Sequence, residues 1–143
     1  GQSVDVLFTG KHPEKERLDY IYRLKTCALI EASMMMGAIL AGAGNESVAQ
    51  FEDIGRSVGM AFQIQDDILD CTGDAALLGK PLNSDEKNGK TTYVTLFGID
   101  TARAEVERLS ENARHTLENV DSADENEKKF LLWLIESLVK RMY

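Results

Sequence analysis

The segment Phe62-Gln63-Ile64-Gln65-Asp66-Asp67-Ile68-Leu69-Asp70 places three carboxylates within five residues, in the middle of an otherwise apolar helical pattern. At 3.6 residues per turn, Gln63, Asp66, Asp67 and Asp70 fall within an arc of about 100° on one side of a helix. Val58, Ala61, Phe62, Ile64, Ile68 and Leu69 fill the other faces. The acidic stripe is therefore expected to look into a cavity inside a helical bundle. An acidic pair is ordinarily a solvated face or the first turn of a helix. This one lies late in its helix, where the dipole disfavours acids, and is hemmed in by apolar neighbours. Clustered carboxylates repel one another and lose hydration, which favours protonation unless a cation neutralises them. An oxygen-only donor set suits Mg²⁺ or Mn²⁺, and Mg²⁺ typically shares itself between one or two carboxylates and substrate phosphates. A phosphorylated substrate is the expected partner.

At 143 residues the chain has the length of one domain and can bury a real core. Its 24 acidic and 16 basic residues give a net charge of -8, which argues against nucleic acid as the main partner. Cys27 and Cys71 sit among apolar residues without metal-ligand or paired-redox spacing, so buried thiols in a reducing compartment are expected and a zinc site is not. The longest apolar run, Cys27 to Ala43, is broken by Glu31, Ser33 and Gly37 and falls short of a membrane span. No signal-peptide pattern is read at the start. The chain opens at Gly1 without an initiator Met, and its first ten residues show no helical pattern; a piece of something longer is the expectation.

Beyond His12-Pro13 the periodicity becomes helical, because proline is tolerated in a first helical turn. One helix is expected from Leu18 through Leu40, stopped by Gly42 and Gly44. A second, capped by Asn45, should run from about Glu46 to Cys71 and end at Gly73. The stretch from Gly73 to Lys90 reads as a long loop. Two more helices are expected near Ile99 to Leu117, with Ala102, Val106, Leu109 and Ala113 on one face, and near Glu125 to Met142. Thr91 to Leu96 is the only short β-rich run, so an all-α bundle is the expected class. The Asn119 to Asp124 link and the charge run from Asp121 to Lys129 read as solvated. Met34, Met35 and Met36 are expected to fill the core. Trp133, with Phe130, Leu134, Leu138 and Met142, is expected to pack the last helix onto the bundle. His12 and His115 have no companion nucleophile.

Phosphate oxygens left over from metal binding need cationic donors. Lys25, beside Thr26, interrupts an apolar helix face, where a lone lysine ordinarily snorkels to the surface. Lys80 follows Gly79, and Lys90 follows Gly89, both in the long loop, where lysines are ordinarily just exposed.

Taken together, five ordered motifs are present: Gly1-Gln2 with Asp5; Lys25-Thr26; Gly59 through Asp70; Gly79-Lys80-Pro81; and Ser84-Asp85 with Lys90-Thr91-Thr92-Tyr93. In this order and spacing the chain resembles the C-terminal half of a bacterial trans-isoprenyl diphosphate synthase, of the short-chain farnesyl or geranylgeranyl type. The resemblance spans nearly the whole chain. It implies an all-α isoprenoid-synthase bundle of which residues 1–143 form the C-terminal portion. Asp66, Asp67 and Asp70 match the family's second aspartate-rich motif, which binds Mg²⁺. Lys25 and Lys80 match lysines that hold an allylic diphosphate, and Lys90 matches another near the metal-bound phosphates. Thr26 and Gln63 match polar groups that steady the allylic cation, and Asp85 matches a loop acid near the metal waters.

The implied reaction joins an allylic diphosphate to isopentenyl diphosphate. The implied enzyme is a cytoplasmic homodimer. Its first aspartate motif and isopentenyl diphosphate site lie in an N-terminal half that this sequence does not contain, so the chain alone is expected to be inactive. Two rivals stand beside this reading: a class I terpene cyclase fragment, which would want a further metal motif, and a non-catalytic binding subunit with the same fold.

Overall fold

The computed structural model describes residues 1–72, 84–121 and 124–139. Within them the chain forms α1 (Gln2–Phe8), α2 (Lys15–Tyr22), a π-helical turn (Arg23–Cys27), α3 (Ala28–Leu40), α4 (Asn45–Thr72), α5 (Ser84–Lys87), α6 (Tyr93–Phe97), α7 (Ile99–Glu118) and α8 (Glu125–Val139). Among the described residues there is no strand, and the all-α expectation holds. No helix among them is long and apolar enough to cross a membrane.

The 28-residue α4 is the axis of the bundle, packed between α3 on one side and α7 on the other. Its buried positions Ile54, Val58, Ala61, Ile64 and Ile68 follow helical spacing. Around its first half, Ile54 and Val58 meet Ala113, Leu117, Val120 and Ile135 from α7, the following turn and α8. Around its second half, Ala61, Ile64 and Ile68 meet Leu18, Ile21 and Tyr22 of α2, Tyr93 of α6, and Ala102, Val106 and Leu109 of α7. Asp67 and Asp70 lie in this second half, only 2% exposed.

Two glycines set how closely α4 approaches the preceding helix. A Cβ added at Gly59 would stand 2.7 Å from the Cys27 Cα, and one at Gly55 would stand 2.7 Å from the Glu31 Cα. Both are inside van der Waals contact, so only hydrogen fits on those faces. Just beside this seam the backbone adopts the π turn, which inserts an extra residue into one helical turn and re-aims the side chains it carries. Those side chains include Lys25 and Thr26. Glu31, 8% exposed, faces Arg23 at 3.7 Å and Arg56 at 3.5 Å across the same seam.

Several expectations need correction. Residues 2–8 are helical, although too few to show a period; α1 buries no residue of its own and depends on Val4 and Phe8 packing against the second cluster. The helix expected from Leu18 through Leu40 is present as one helical run from Lys15, but its Arg23–Cys27 turn is π-helical rather than α-helical. The short β-rich run at Thr91 to Leu96 turns helical from Tyr93 onward, where extended Thr92 caps α6 in a reciprocal box with Thr95. Met34 packs against the core, but Met36 is 57% exposed, since α3 buries only its α4 side. Phe130 and Trp133 are 54% and 61% exposed and stack on each other; of the residues expected to seat α8, Leu138 does pack, joined by Leu131, Leu132, Ile135 and Val139. Of the two thiols expected to be buried, Cys27 is buried and Cys71 only partly so.

The α3 stop is as expected: Gly42 takes φ 78°, and the Gly42 and Ala43 N–H groups donate to the Ile39 and Ala38 carbonyls. Gly73, most of the 73–90 loop, part of the 119–124 link and Met142 lie outside the described residues.

Gly59→Ala should lower unfolding stability in urea by about 1–3 kcal/mol through backbone overpacking. Gly37→Ala, at a helical site with nothing within 4 Å of the added methyl, should instead raise it by about 0.5–1 kcal/mol. Equal effects at the two positions would contradict the close-approach account.

Candidate functional site

The polar face of α4 meets three other segments, and each supplies side chains that the sequence singled out. From the π turn, Thr26 donates its hydroxyl to Gln63 Oε1 at 2.8 Å. With its proton so engaged, Thr26 Oγ1 keeps lone pairs for an electron-poor neighbour. From the same turn, Lys25 Nζ stands 2.8 Å from Asp5 Oδ2 of α1. Asp5 also lies 3.9 Å from Lys90 Nζ, which is 3.5 Å from Asp85 Oδ1. The Asp85 N–H in turn donates to Asp70 Oδ2 at 3.2 Å. A continuous path of contacts thus runs Lys25, Asp5, Lys90, Asp85, Asp70.

Lys90 is held where it is by its backbone. Gly10 N–H donates to the Gly89 carbonyl at 2.8 Å, and Thr91 Oγ1 donates to the Lys11 carbonyl at 3.1 Å. Gly10 and Gly89 have φ of 76° and 66°, the left-handed region that glycine enters freely.

The three stripe carboxylates are not equivalent. Asp66 is half-buried, whereas Asp67 and Asp70 are buried. Asp67 Oδ2 accepts from the Tyr22 hydroxyl and from the Tyr93 N–H, the latter at 2.9 Å. Burial pushes the Asp67 carboxyl up to about 7, against the opposing pull of hydrogen bonds from Tyr22, Tyr93 N–H and Gln63. Burial, and then the Asp67 charge, push the Tyr22 phenol well above its ordinary range, so the shared proton stays on the phenol.

Of the residues singled out by sequence, Lys25, Lys90, Asp70 and Asp85 share one contact path, and Thr26 of the π turn with Gln63 and Asp67 of α4 forms a second. Asp66 directly precedes Asp67 on α4. Lys80 lies outside the described residues. Sequence reasoning gave no role to Asp5, which holds two lysines at once, or to Tyr22. A tyrosine on an α2 face shared with Leu18 and Ile21 was a usable signal, because a buried phenol needs a polar partner.

Among the described residues no three acidic, His or Cys side chains converge as a ready-made metal cage. By donor chemistry alone, carboxylate oxygens such as those of Asp70 and Asp85, which meet through the Asp85 N–H, suit a Mg²⁺ ion shared with phosphate oxygens, which needs only one or two protein ligands.

Asp67 also fixes a pH dependence for the metal-free chain. Its carboxyl titrates near 7 when folded and near 4 when unfolded. In that window the folded state holds a proton that the unfolded state has released. The group's stabilising contribution is therefore complete below about pH 4 and is lost as pH rises to about 7, at about 1.4 kcal/mol per pH unit. Asp67→Asn keeps an acceptor for both donors and should remove that slope. A stability difference between the two proteins that stays constant from pH 4 to 7 would refute it.

The sequence profile of the polyprenyl synthetase family matches residues 1–130. The chain is 41% identical over 121 residues to farnesyl diphosphate synthase of Escherichia coli, covering 84% of this chain and 40% of that protein. It is 38% identical over 125 residues to a chloroplastic geranylgeranyl pyrophosphate synthase of Arabidopsis thaliana, covering 85% of this chain and 35% of that protein. Among solved structures, Helicobacter pylori geranyltransferase, complexed with magnesium and isoprenyl diphosphate, superposes with TM-score 0.83 at 28% identity. That superposition covers 98% of this chain and 46% of the other. The chain thus spans less than half the length of these relatives, and over that span it belongs to the polyprenyl synthetase family.

Proposed function

We propose that this chain is the C-terminal portion of a short-chain trans-isoprenyl diphosphate synthase, which transfers an allylic group from its diphosphate to isopentenyl diphosphate. The allylic C–O bond breaks and its electron pair leaves with diphosphate. The double bond of isopentenyl diphosphate then forms the new C–C bond, and a proton is lost to restore an alkene. The observation that carries the reading is the convergence of Lys25 and Lys90 on Asp5, beside Asp85 and the Asp70 end of the stripe. Two cations and several carboxylates on one surface are the complement of a metal-bound diphosphate.

Lys25 and Lys90, with Lys80 by resemblance, supply charge-assisted hydrogen bonds to the departing diphosphate. Asp66, Asp70 and Asp85 would hold Mg²⁺, directly or through water, with Asp67 braced behind them by Tyr22 and Tyr93. When bound, Mg²⁺ supplies positive charge that offsets that of the leaving group. Mn²⁺ offers the same hard-oxygen chemistry. Thr26 and Gln63 turn the negative ends of their dipoles toward the developing carbocation.

Homodimerisation of the complete protein and a cytoplasmic location belong to the same proposal. The outward face of α3, with Leu29 75% and Leu40 88% exposed, is a surface that such an assembly would cover. Neither a terpene cyclase fragment nor a non-catalytic subunit is favoured by the relatives.

The test is reconstitution. The chain alone should not turn over isopentenyl and allylic diphosphates. Mixed with a separately produced N-terminal portion of a family enzyme, it should do so with Mg²⁺ and stop on chelation. Asp66→Ala or Lys25→Ala should reduce the reconstituted rate by about a hundredfold or more, on the scale of removing one transition-state charge contact. Turnover by the chain alone, or full activity of both variants, would overturn the proposal.

A further inference from the structure

Tyr22 is the last residue of α2, 5% exposed, and leads directly into the π turn that carries Lys25 and Thr26. Its hydroxyl donates to Asp67 Oδ2 in the middle of the carboxylate stripe. The same hydroxyl oxygen lies 3.2 Å from the Tyr93 nitrogen, whose N–H also reaches Asp67 Oδ2. Tyr93 opens α6 three residues after Lys90. One buried triangle therefore joins three segments: the one before Lys25, the one after Lys90, and the helix bearing the carboxylates. The groups facing Asp67 are Tyr22, the Tyr93 N–H, Gln63 and the Asp85 charge. Its contacts are those of an anchor.

We propose that Tyr22 is a positioning residue: through Asp67 and the Tyr93 N–H, its hydroxyl sets the spacing of Lys25 and Lys90 across the carboxylates at the value a metal-bound diphosphate requires. The proposal rests on the functional reading above. It assigns to Asp67 the task of holding the site together and leaves Asp66 and Asp70 to face the ion. Removing only the hydroxyl leaves the ring in its packing against Leu18 and Ile21 and frees one corner of the triangle. The two lysine-bearing segments then lose their common reference.

The experiment compares this chain with its Tyr22→Phe variant, and with Leu109→Ala as a packing control, an apolar side chain of the same core cluster with no hydrogen-bonding group to lose. Calorimetry measures binding of inorganic pyrophosphate in the presence of Mg²⁺, and amide hydrogen exchange is followed at Tyr93. Tyr22→Phe should weaken pyrophosphate binding by about tenfold, as loss of an outer support does at metal sites, and should expose the Tyr93 amide. Leu109→Ala should lower the melting temperature without changing the affinity. Unchanged affinity in Tyr22→Phe, or equal weakening in Leu109→Ala, would overturn the positioning role. If the unaltered chain binds no pyrophosphate, the functional reading fails. In that case unchanged Tyr93 protection in Tyr22→Phe overturns the triangle, and lost protection upholds it.

Discussion

Gly55 and Gly59 let two backbones approach until an added methyl would stand 2.7 Å from a Cα atom of the facing helix, and the placement of the polar groups follows from that approach. The π turn lies directly beside this seam, so Thr26 reaches Gln63 with a single hydrogen bond and Lys25 projects toward α1. At a normal helix spacing of about 8–10 Å, larger side chains would fill the seam and these short polar side chains would not meet. The glycines cost α4 some intrinsic helix stability. That cost is offset by α4's burial between α3 and α7.

The second half of α4 carries a different tension. A carboxylate at 2% exposure loses most of its hydration, and Asp67 answers with two donors on one oxygen rather than with a cation. Its elevated pKa shows that the donors do not fully compensate for burial. Asp70 meets the backbone of the Asp85 segment, and Asp66 is half-buried. Three acids that look alike in sequence thus occupy three electrical environments. The lysines lie at the more open rim, tied to Asp5 and Asp85 rather than to the stripe itself. Such pairs are modest in energy when partly exposed, as the proposed exchange of a protein carboxylate for a phosphate would require.

Much of this was legible in the sequence where the physics is local and periodic. The long helices α4 and α7 lie within a residue or two of where their apolar spacing put them, and the burial of Asp67 and Asp70 followed from acids placed among Ile64, Ile68 and Leu69. What was not legible depends on contacts distant in sequence. The π turn shifts hydrogen bonding by one residue without changing an apolar pattern. Helix α1 is seven residues long and has no stability of its own. Tyr22 and Asp67 are 45 residues apart. Trp133 and Met36 look like core residues by type, yet sit on faces that α8 and α3 turn away from α4; residue type alone does not say which stripe of an apolar helix is covered.

The claim that the acids of α4 and the amines of the π turn and the Lys90 segment look onto one shared space is open to direct measurement by nuclear magnetic resonance with Mn²⁺ as a paramagnetic stand-in for Mg²⁺, added with pyrophosphate. Signals of Asp66, Asp70 and Asp85, together with those of Lys25, Thr26 and Lys90, should broaden first and in parallel as the ion is titrated. Broadening confined to exposed acids such as Asp121, Asp124 and Glu125, with the α4 stripe and both lysines left sharp, would contradict it.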